Sequence, residues 1–281
     1  MDQHNTTDLS INNKWHRRVL VLLLLKTTSR FYKHSGPCVP ISHGLLVKYG
    51  PLVDLEEAAT FKFIGTHTSI PVPDIYCAFV RKGKTYIAMQ RIHAESMAKF
   101  MSYASEFERK KVFRQLKGML DQMRILPAPS SPSAVQSCAN GTVRECRIAH
   151  STPRFGPFAR IQEFHLYLRD GLQLQERPSH MDETDWEDIK EMVTRQDVEW
   201  PPTVFTHGDL NPFNILVRNG KIAAIIDWEN AGWLPHYWEW TSAWTGNIIR
   251  QAWQVVLPQF LDPHPEELHM ELIRQKWWGE F

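Results

Sequence analysis

Two apolar runs, Ile215 to Val217 and Ile222 to Ile226, stand on either side of Asn219-Gly220, and no other stretch restricts the fold of this chain as strongly. Asn and Gly both tolerate positive φ, so the pair predicts a tight hairpin joining two short strands. Such a hairpin has a mechanical consequence. It brings Asn214, just ahead of the first strand, close to Asp227, just after the second, and it leaves Asp209 on the preceding loop. Two carboxylates and an amide oxygen are thereby expected in one small volume.

Phosphoryl transfer asks for such a set. One carboxylate orients the attacking hydroxyl and accepts its proton, and hard oxygen ligands hold Mg²⁺ against nucleotide phosphates. The spacing of His207-x-Asp209 with Asn214 matches the catalytic loop of protein kinases, in which the Asp is the base and the Asn a metal ligand. Asp227 takes the place of the second metal-holding Asp. A lone His-x-Asp would read as a solvated turn; the full spacing with its apolar strands argues against that reading.

The rest of the chain bounds the setting. With 281 residues, 43% of them hydrophobic, it can bury a substantial core. The formal charge of +1, with Lys and Arg spread along the sequence, gives no footprint for nucleic-acid binding. Cys38, Cys77, Cys138 and Cys146 form no Cys-x-x-Cys pair, which fits reduced thiols and a cytoplasmic setting. The run Val19 to Leu25 follows Trp15-His16-Arg17-Arg18 but is too short to span a bilayer and is followed by no small-x-small cleavage site. It predicts a buried helix at the edge of the first lobe, and no membrane partner.

Short apolar runs at Cys38 to Ser42 and Leu45 to Tyr49 predict a hairpin, and Asp54-Leu55-Glu56-Glu57 opens a helix that Pro71 and Pro73 forbid from continuing. Ile75 to Phe79 and Thr85 to Gln90 predict a second strand pair. From Ser105 the period becomes helical, with Val112, Phe113, Leu116, Met119, Leu120 and Met123 on one face. Pro127 to Ser133 is a breaker, and the region to Pro157 reads as surface loop; Phe158 to Leu168 and Asp185 to Val193 return to helical spacing.

The passage His207-Gly208-Asp209-Leu210-Asn211-Pro212-Phe213-Asn214-Ile215-Leu216, with Ile226-Asp227-Trp228-Glu229, resembles the aminoglycoside phosphotransferase family, especially its fungal members, in which Gly replaces the Arg of the protein-kinase motif. Leu46-Val47-Lys48-Tyr49-Gly50, Glu56-Glu57-Ala58, Thr68 to Pro73, Tyr86 to Met89, Gly156-Pro157-Phe158 and Trp233 to Glu239 extend the resemblance over roughly residues 35 to 245.

The resemblance implies an α+β, bilobal protein-kinase-like fold: a small N-terminal lobe of antiparallel sheet and one helix, and a larger, mainly helical C-terminal lobe. Residues 1–92 would form the first lobe, with 1–30 a helical extension, and residues 93–281 the second. Lys48, on the third strand, would contact the nucleotide α/β-phosphates, held by Glu57 or, failing that, Glu56. Met89, Gln90 and Arg91, with Ile92, would be the hinge that meets the adenine edge through backbone groups. Asp209 would be the base, with Asn214 and Asp227 as the metal ligands. His207 would support the loop, and Glu229 would be an outer metal ligand or a surface residue. No Gly-x-Gly-x-x-Gly precedes Lys48; Ser35-Gly36-Pro37 is the short candidate for a phosphate-covering loop.

The expected function is ATP- and Mg²⁺-dependent transfer of the γ-phosphate to a hydroxyl of a small molecule, with no obligate protein partner. A non-catalytic kinase-like scaffold is the alternative. A protein kinase is disfavoured by the lack of Asp-Phe-Gly and Ala-Pro-Glu segments. The Trp-rich stretch Trp228 to Trp244 reads as core, with the lining of an aromatic pocket the alternative. Asp262, Glu266, Glu267 and Glu271 read as the solvated face of a terminal helix rather than as a site for a polycationic acceptor.

Overall fold

The computed structural model describes residues 9–128, 131–145, 147, 154–174, 177, 181–246 and 251–279; Cys146 and the start of the expected N-terminal extension lie outside the described residues. In chain order, α1 (Trp15–Thr27) precedes β1 (Cys38–Pro40), β2 (Leu45–Gly50), α2 (Leu55–His67), β3 (Ile75–Arg81) and β4 (Lys84–Gln90). Then come β5 (Glu95–Ser96), α3 (Met97–Tyr103), α4 (Glu106–Arg124), α5 (Ile161–Leu168), α6 (Glu183–Gln196) and β6 (Val204–Thr206). The chain continues with β7 (Ile215–Arg218), β8 (Lys221–Ile225), β9 (Gly232–Leu234), α7 (Trp238–Thr245), α8 (Gln251–Val256) and α9 (Pro265–Trp278). Two compact units result: one takes the chain up to Gln122 together with Pro212–Glu229, and the other takes Met123–Asn211 and the chain from Asn230 onward.

In the first unit an antiparallel sheet is ordered β1-β2-β4-β3. Alternation along β2 and β4 sends Val47 and Ala88 into a core with Val39, Cys77 and Phe79. α2 begins where Asp54 caps it, the carboxylate accepting the Glu56 backbone N–H at 2.8 Å. Beyond its end, Pro71 accepts the Ile225 N–H through its carbonyl at 2.9 Å and so ties this segment to β8.

α1 forms, but not as a buried helix. Of its residues only Val21 is buried, whereas Val19, Leu20 and Leu23 are 54%, 53% and 54% exposed. The unbroken apolar run encircles the helix, and one side of a helix is all that a sheet face covers. No described helix is long and apolar enough to cross a membrane.

The second unit packs α5, α6, α7 and α9 around Phe164, Ile189, Met192, Trp238 and Met270. The expected surface loop before Pro157 proves to be part of this core: Val135, Val143 and Phe155 are buried, and backbone pairs join Val135 to Phe158, Gln136 to Trp233 and Val143 to Phe155. Isolated bridges of this kind satisfy buried N–H and C=O groups without any run long enough to show a strand period. The acidic residues of the last helix also divide. Asp262 and Glu266 are exposed, but Glu271 is fully buried and pairs with the equally buried Arg274 at 2.9 Å.

His165, wholly buried on α5, has Nδ1 3.0 Å from the Gln196 carbonyl and Nε2 2.7 Å from the Tyr237 hydroxyl. A neutral ring satisfies both, donating to the carbonyl and accepting from the phenol. Burial pulls its pKa from 6.5 down to about 4, against the Gln196 hydrogen bond. Because the folded value lies below the unfolded one, its contribution is complete above pH ~6.5 and is lost as pH falls towards 4. Urea denaturation should therefore show a loss of about 2 kcal/mol at pH 5 relative to pH 7 that a His165→Gln variant lacks.

Candidate active site

Lys48 lies on β2, the second strand of the chain rather than the third, because the described residues ahead of Cys38 form α1 and short turns in place of a leading strand. Its ammonium, on a residue only 6% exposed, meets three carboxylates: Glu57 at 2.9 Å, Asp227 at 2.6 Å and Glu229 at 3.1 Å. The Asp54 cap sets the first turn of α2 so that Glu57 turns inward and is buried, while Glu56 stays partly exposed. Burial works against the Lys48 charge, but Glu57, Asp227 and Glu229 together outweigh it and hold the ammonium well above its ordinary pKa. Burial pushes the Glu57 carboxyl up to about 8, with Lys48 opposing and the other two carboxylates assisting. Even with Glu57 protonated, Asp227 and Glu229 against one ammonium leave negative charge uncompensated, which is the condition a divalent cation relieves.

Asp227 reaches Lys48 from the end of the hairpin. β7 pairs with β8 from Ile215↔Ile225 to Arg218↔Lys221, and Asn219 and Gly220 turn between them at φ 53° and 67°. That is the two-residue turn whose twist matches the strands. Gln115 of α4 clasps the hairpin, accepting the Ile222 N–H at 3.3 Å and donating to the Gly220 carbonyl at 3.4 Å. Asn214 is buried and accepts the Ile226 N–H through its carbonyl at 2.9 Å, so the residues before and after the hairpin are bonded together. Asp227 itself has φ 66°, a left-handed conformation that costs an L-residue roughly 1–3 kcal/mol. Next to it the buried Trp228 ring donates to the Ile225 carbonyl at 3.0 Å, locking the strand end.

Lys48, Glu57, Asp227 and Glu229 line a cleft of about 620 Å³ in the first unit, and Asn214 is not among its lining residues. Leu46, Met89, Leu216 and Ile226 give it apolar walls, and Ser35, Gly36, Pro37 and Cys38 border it ahead of β2. Ser35 and Cys38 close a backbone turn around Gly36, which has φ 52°. Burial raises the Cys38 thiol to about 11, against the pull of Lys48, so it stays protonated. Met89, Gln90, Arg91 and Ile92 all line the cleft. The Gln90 and Arg91 N–H groups are already donated, to Asp74 and Gly44 carbonyls at 2.9 Å each.

Asp209 belongs to the second unit, on the loop after β6. Its N–H donates to His207 Nδ1 at 3.2 Å, and its Oδ1 accepts from Asn211 at 3.1 Å. The wholly buried His207 thus supports the loop from within. Two further residues shape it. Gly208 has φ 80°, and a Cβ there would lie 2.6 Å from the Asn230 carbonyl oxygen, so no side chain fits. Glu239, buried on α7, accepts the His207 N–H at 2.6 Å and the Gly208 N–H at 3.3 Å.

Sequence reasoning passed over Glu239 as a functional residue, although a lone carboxylate in the apolar run Trp238 to Trp240 was the available signal. Burial lifts its carboxyl above the ordinary range, opposed by His207 and the two N–H groups. Glu239→Ala orphans two buried donors, so urea denaturation should register a loss of roughly 2–4 kcal/mol, with Glu239→Gln milder because it keeps one acceptor oxygen.

Solved structures share this architecture. Aminoglycoside phosphotransferase APH(4)-Ia superposes with a TM-score of 0.59 at 14% identity, covering 92% of this chain and 88% of that one. The aminoglycoside phosphotransferase structure described as the streptomycin-ATP-APH(2")-IIa ternary complex gives 0.54 at 14% identity, covering 95% and 89%. Macrolide 2'-phosphotransferase MphH from Brachybacterium faecium gives 0.50 at 15%, covering 85% and 78%. The fold is therefore that of the kinase-like antibiotic phosphotransferases, an antiparallel sheet with one helix followed by a mainly helical part. Residues 55–265 match the profile of the phosphotransferase enzyme family, and the chain belongs to that family. Comparison with curated proteins gives no match.

Proposed function

We propose that this phosphotransferase moves the γ-phosphate of ATP to a hydroxyl group of a small molecule, with its nucleotide in the cleft around Lys48. The observation that carries the reading is the buried Lys48 ammonium held at once by Glu57, Asp227 and Glu229. A cation so placed, with a buried carboxylate behind it, is fixed in position for phosphate oxygens. The excess of carboxylate oxygens fits Mg²⁺, a hard ion that prefers oxygen ligands, and Asn214 and Asp227 are the residues that would hold it. When bound, Mg²⁺ supplies charge neutralisation to the β- and γ-phosphates.

The chain's own groups do the rest. Lys48 serves the α/β-phosphates while Glu57 keeps it from swinging away. The apolar walls from Leu46, Met89 and Ile226 accept a flat base, and Met89 to Arg91 meet its edge through carbonyl groups, since the Gln90 and Arg91 N–H groups are engaged. Asp209 orients the acceptor hydroxyl and takes its proton as the oxygen attacks phosphorus. The acceptor is read as a hydroxyl-bearing small molecule from the family and from similar solved structures that are complexes with hygromycin B and streptomycin.

Mg-ATP should raise the melting temperature; at a hundredfold excess over Kd the stabilisation is about 2.7 kcal/mol. Absence of any shift at millimolar nucleotide would overturn the reading. Asp227→Asn should lose that shift while keeping or raising the nucleotide-free melting temperature, because it relieves repulsion in an over-acidic cluster. Asp209→Asn should keep the shift and lose about 10²–10⁴-fold in kcat in an ADP-release assay over polyhydroxylated acceptors. An Asp209→Asn enzyme of undiminished kcat would remove Asp209 from the role of base.

A further inference from the structure

The second unit holds a set of metal-ligating side chains for which phosphoryl transfer has no use. His236 follows β9 in the turn ahead of α7, while His264 precedes α9 and Glu267 sits in its first turn. One ligand atom from each of the three lies within 4.8 Å of the others. The two imidazole rings meet edge to face with centroids 4.9 Å apart, and His264 Nδ1 is 3.7 Å from a Glu267 carboxylate oxygen, too far for a hydrogen bond.

A second observation points the same way. His236 Nδ1 and His264 Nε2 are both buried, and neither has a hydrogen-bond partner among the described residues. Buried polar nitrogens are nearly always satisfied, and two orphans in one cluster call for a missing partner. Neighbouring groups fix the frame without filling that need: Arg124 donates to the His236 backbone carbonyl at 3.3 Å, not to its ring. His236 and Glu267 also line a cavity of about 330 Å³ bordered by Trp200, Pro201, Glu266 and Met270, which has room for a water or a small ligand beside them.

We propose that His236, His264 and Glu267 form a binding site for a zinc-type transition-metal ion, with its remaining position open to the adjoining cavity. Two imidazoles and a carboxylate are a borderline donor set that suits Zn²⁺ and its first-row neighbours and is poorly matched to Mg²⁺. Bonds of ~2.0–2.2 Å would place the donor atoms about 3.3 Å apart in a tetrahedral site, so the ring and carboxylate torsions close the present spacing by up to about 1.5 Å. The ion would fasten the turn before α7 to the start of α9.

The test uses the full chain carrying Asp227→Asn, which weakens the separate oxygen-rich cluster around Lys48, after removal of metal by chelation. Calorimetry should show one equivalent of Zn²⁺ binding at micromolar concentration in excess Mg²⁺, with a rise in melting temperature. His236→Ala and His264→Ala should each weaken it by about tenfold or more. Affinity undiminished in both histidine variants, or no Zn²⁺ binding at all, overturns the proposal. Where a histidine variant fails to fold, Co²⁺ added to the chain with both histidines decides: intense visible bands of a four- or five-coordinate nitrogen-ligated site support it, and the weak spectrum of an all-oxygen octahedral ion overturns it. None of these outcomes depends on whether Mg-ATP binds, so the two readings stand or fall separately.

Discussion

Withdrawing the Lys48 ammonium from water costs several kcal/mol, and the first unit is organised around meeting that cost. The three carboxylates that do so come from separate pieces of the chain: Glu57 from α2, Asp227 and Glu229 from the segment after β8. Sheet, helix and hairpin are thereby held to one register by a single charge. The left-handed backbone at Asp227 is tolerable for the same reason, since the strain places a carboxylate 2.6 Å from a buried cation. Over-supply of negative charge is a poor way to stabilise a fold and a good way to prepare it for a cation. Glu57 is the most buried of the three, and burial raises its carboxyl, so it absorbs the mismatch when no other cation is near.

In the second unit a buried carboxylate performs a different task. Among the described residues Glu239 pairs with no ammonium; it accepts two backbone N–H groups, at His207 and Gly208, that would otherwise be orphaned beneath the Asp209 loop. The close approach of Gly208 to the Asn230 carbonyl leaves the loop no room for a side chain there. Position is thus imposed on Asp209 by groups below and beside it, while Asp209 itself remains partly exposed, as its proposed role requires.

What the sequence made legible was local. Asn219-Gly220 between two apolar runs specifies a hairpin by turn chemistry alone, and Asp54 specifies a helix start, whereas the choice of Glu57 over Glu56 rests on the family resemblance. The missed features depend on partners distant in sequence. Val135, Val143 and Phe155 are buried by isolated backbone bridges, which leave no periodic trace. Glu271 resembles its exposed neighbours until Arg274 is seen buried against it, and the apolar run of α1 resembles a core helix until the sheet is seen to cover one side. Gly208 could be noted as a Gly where protein kinases carry Arg, but the reason, a carbonyl 2.6 Å from the missing Cβ, lies in the fold.

The two candidate cation clusters differ in a way that bears on selectivity. Around Lys48 every negative donor is a carboxylate oxygen, and the resident ammonium must be shared with any arriving ion. Hard, weakly polarisable cations that accompany phosphates suit such a place, because they compete by charge and are repaid by phosphate oxygens as well as by protein. Around His236 and His264 two of three donors are neutral nitrogens, which bring no net charge to neutralise and bind through lone pairs. Abundant Mg²⁺ gains little there, whereas a scarce, softer ion gains a full set of short bonds. Donor chemistry alone would therefore keep the two cations apart in one chain, with no need for either cluster to exclude the other's ion by size.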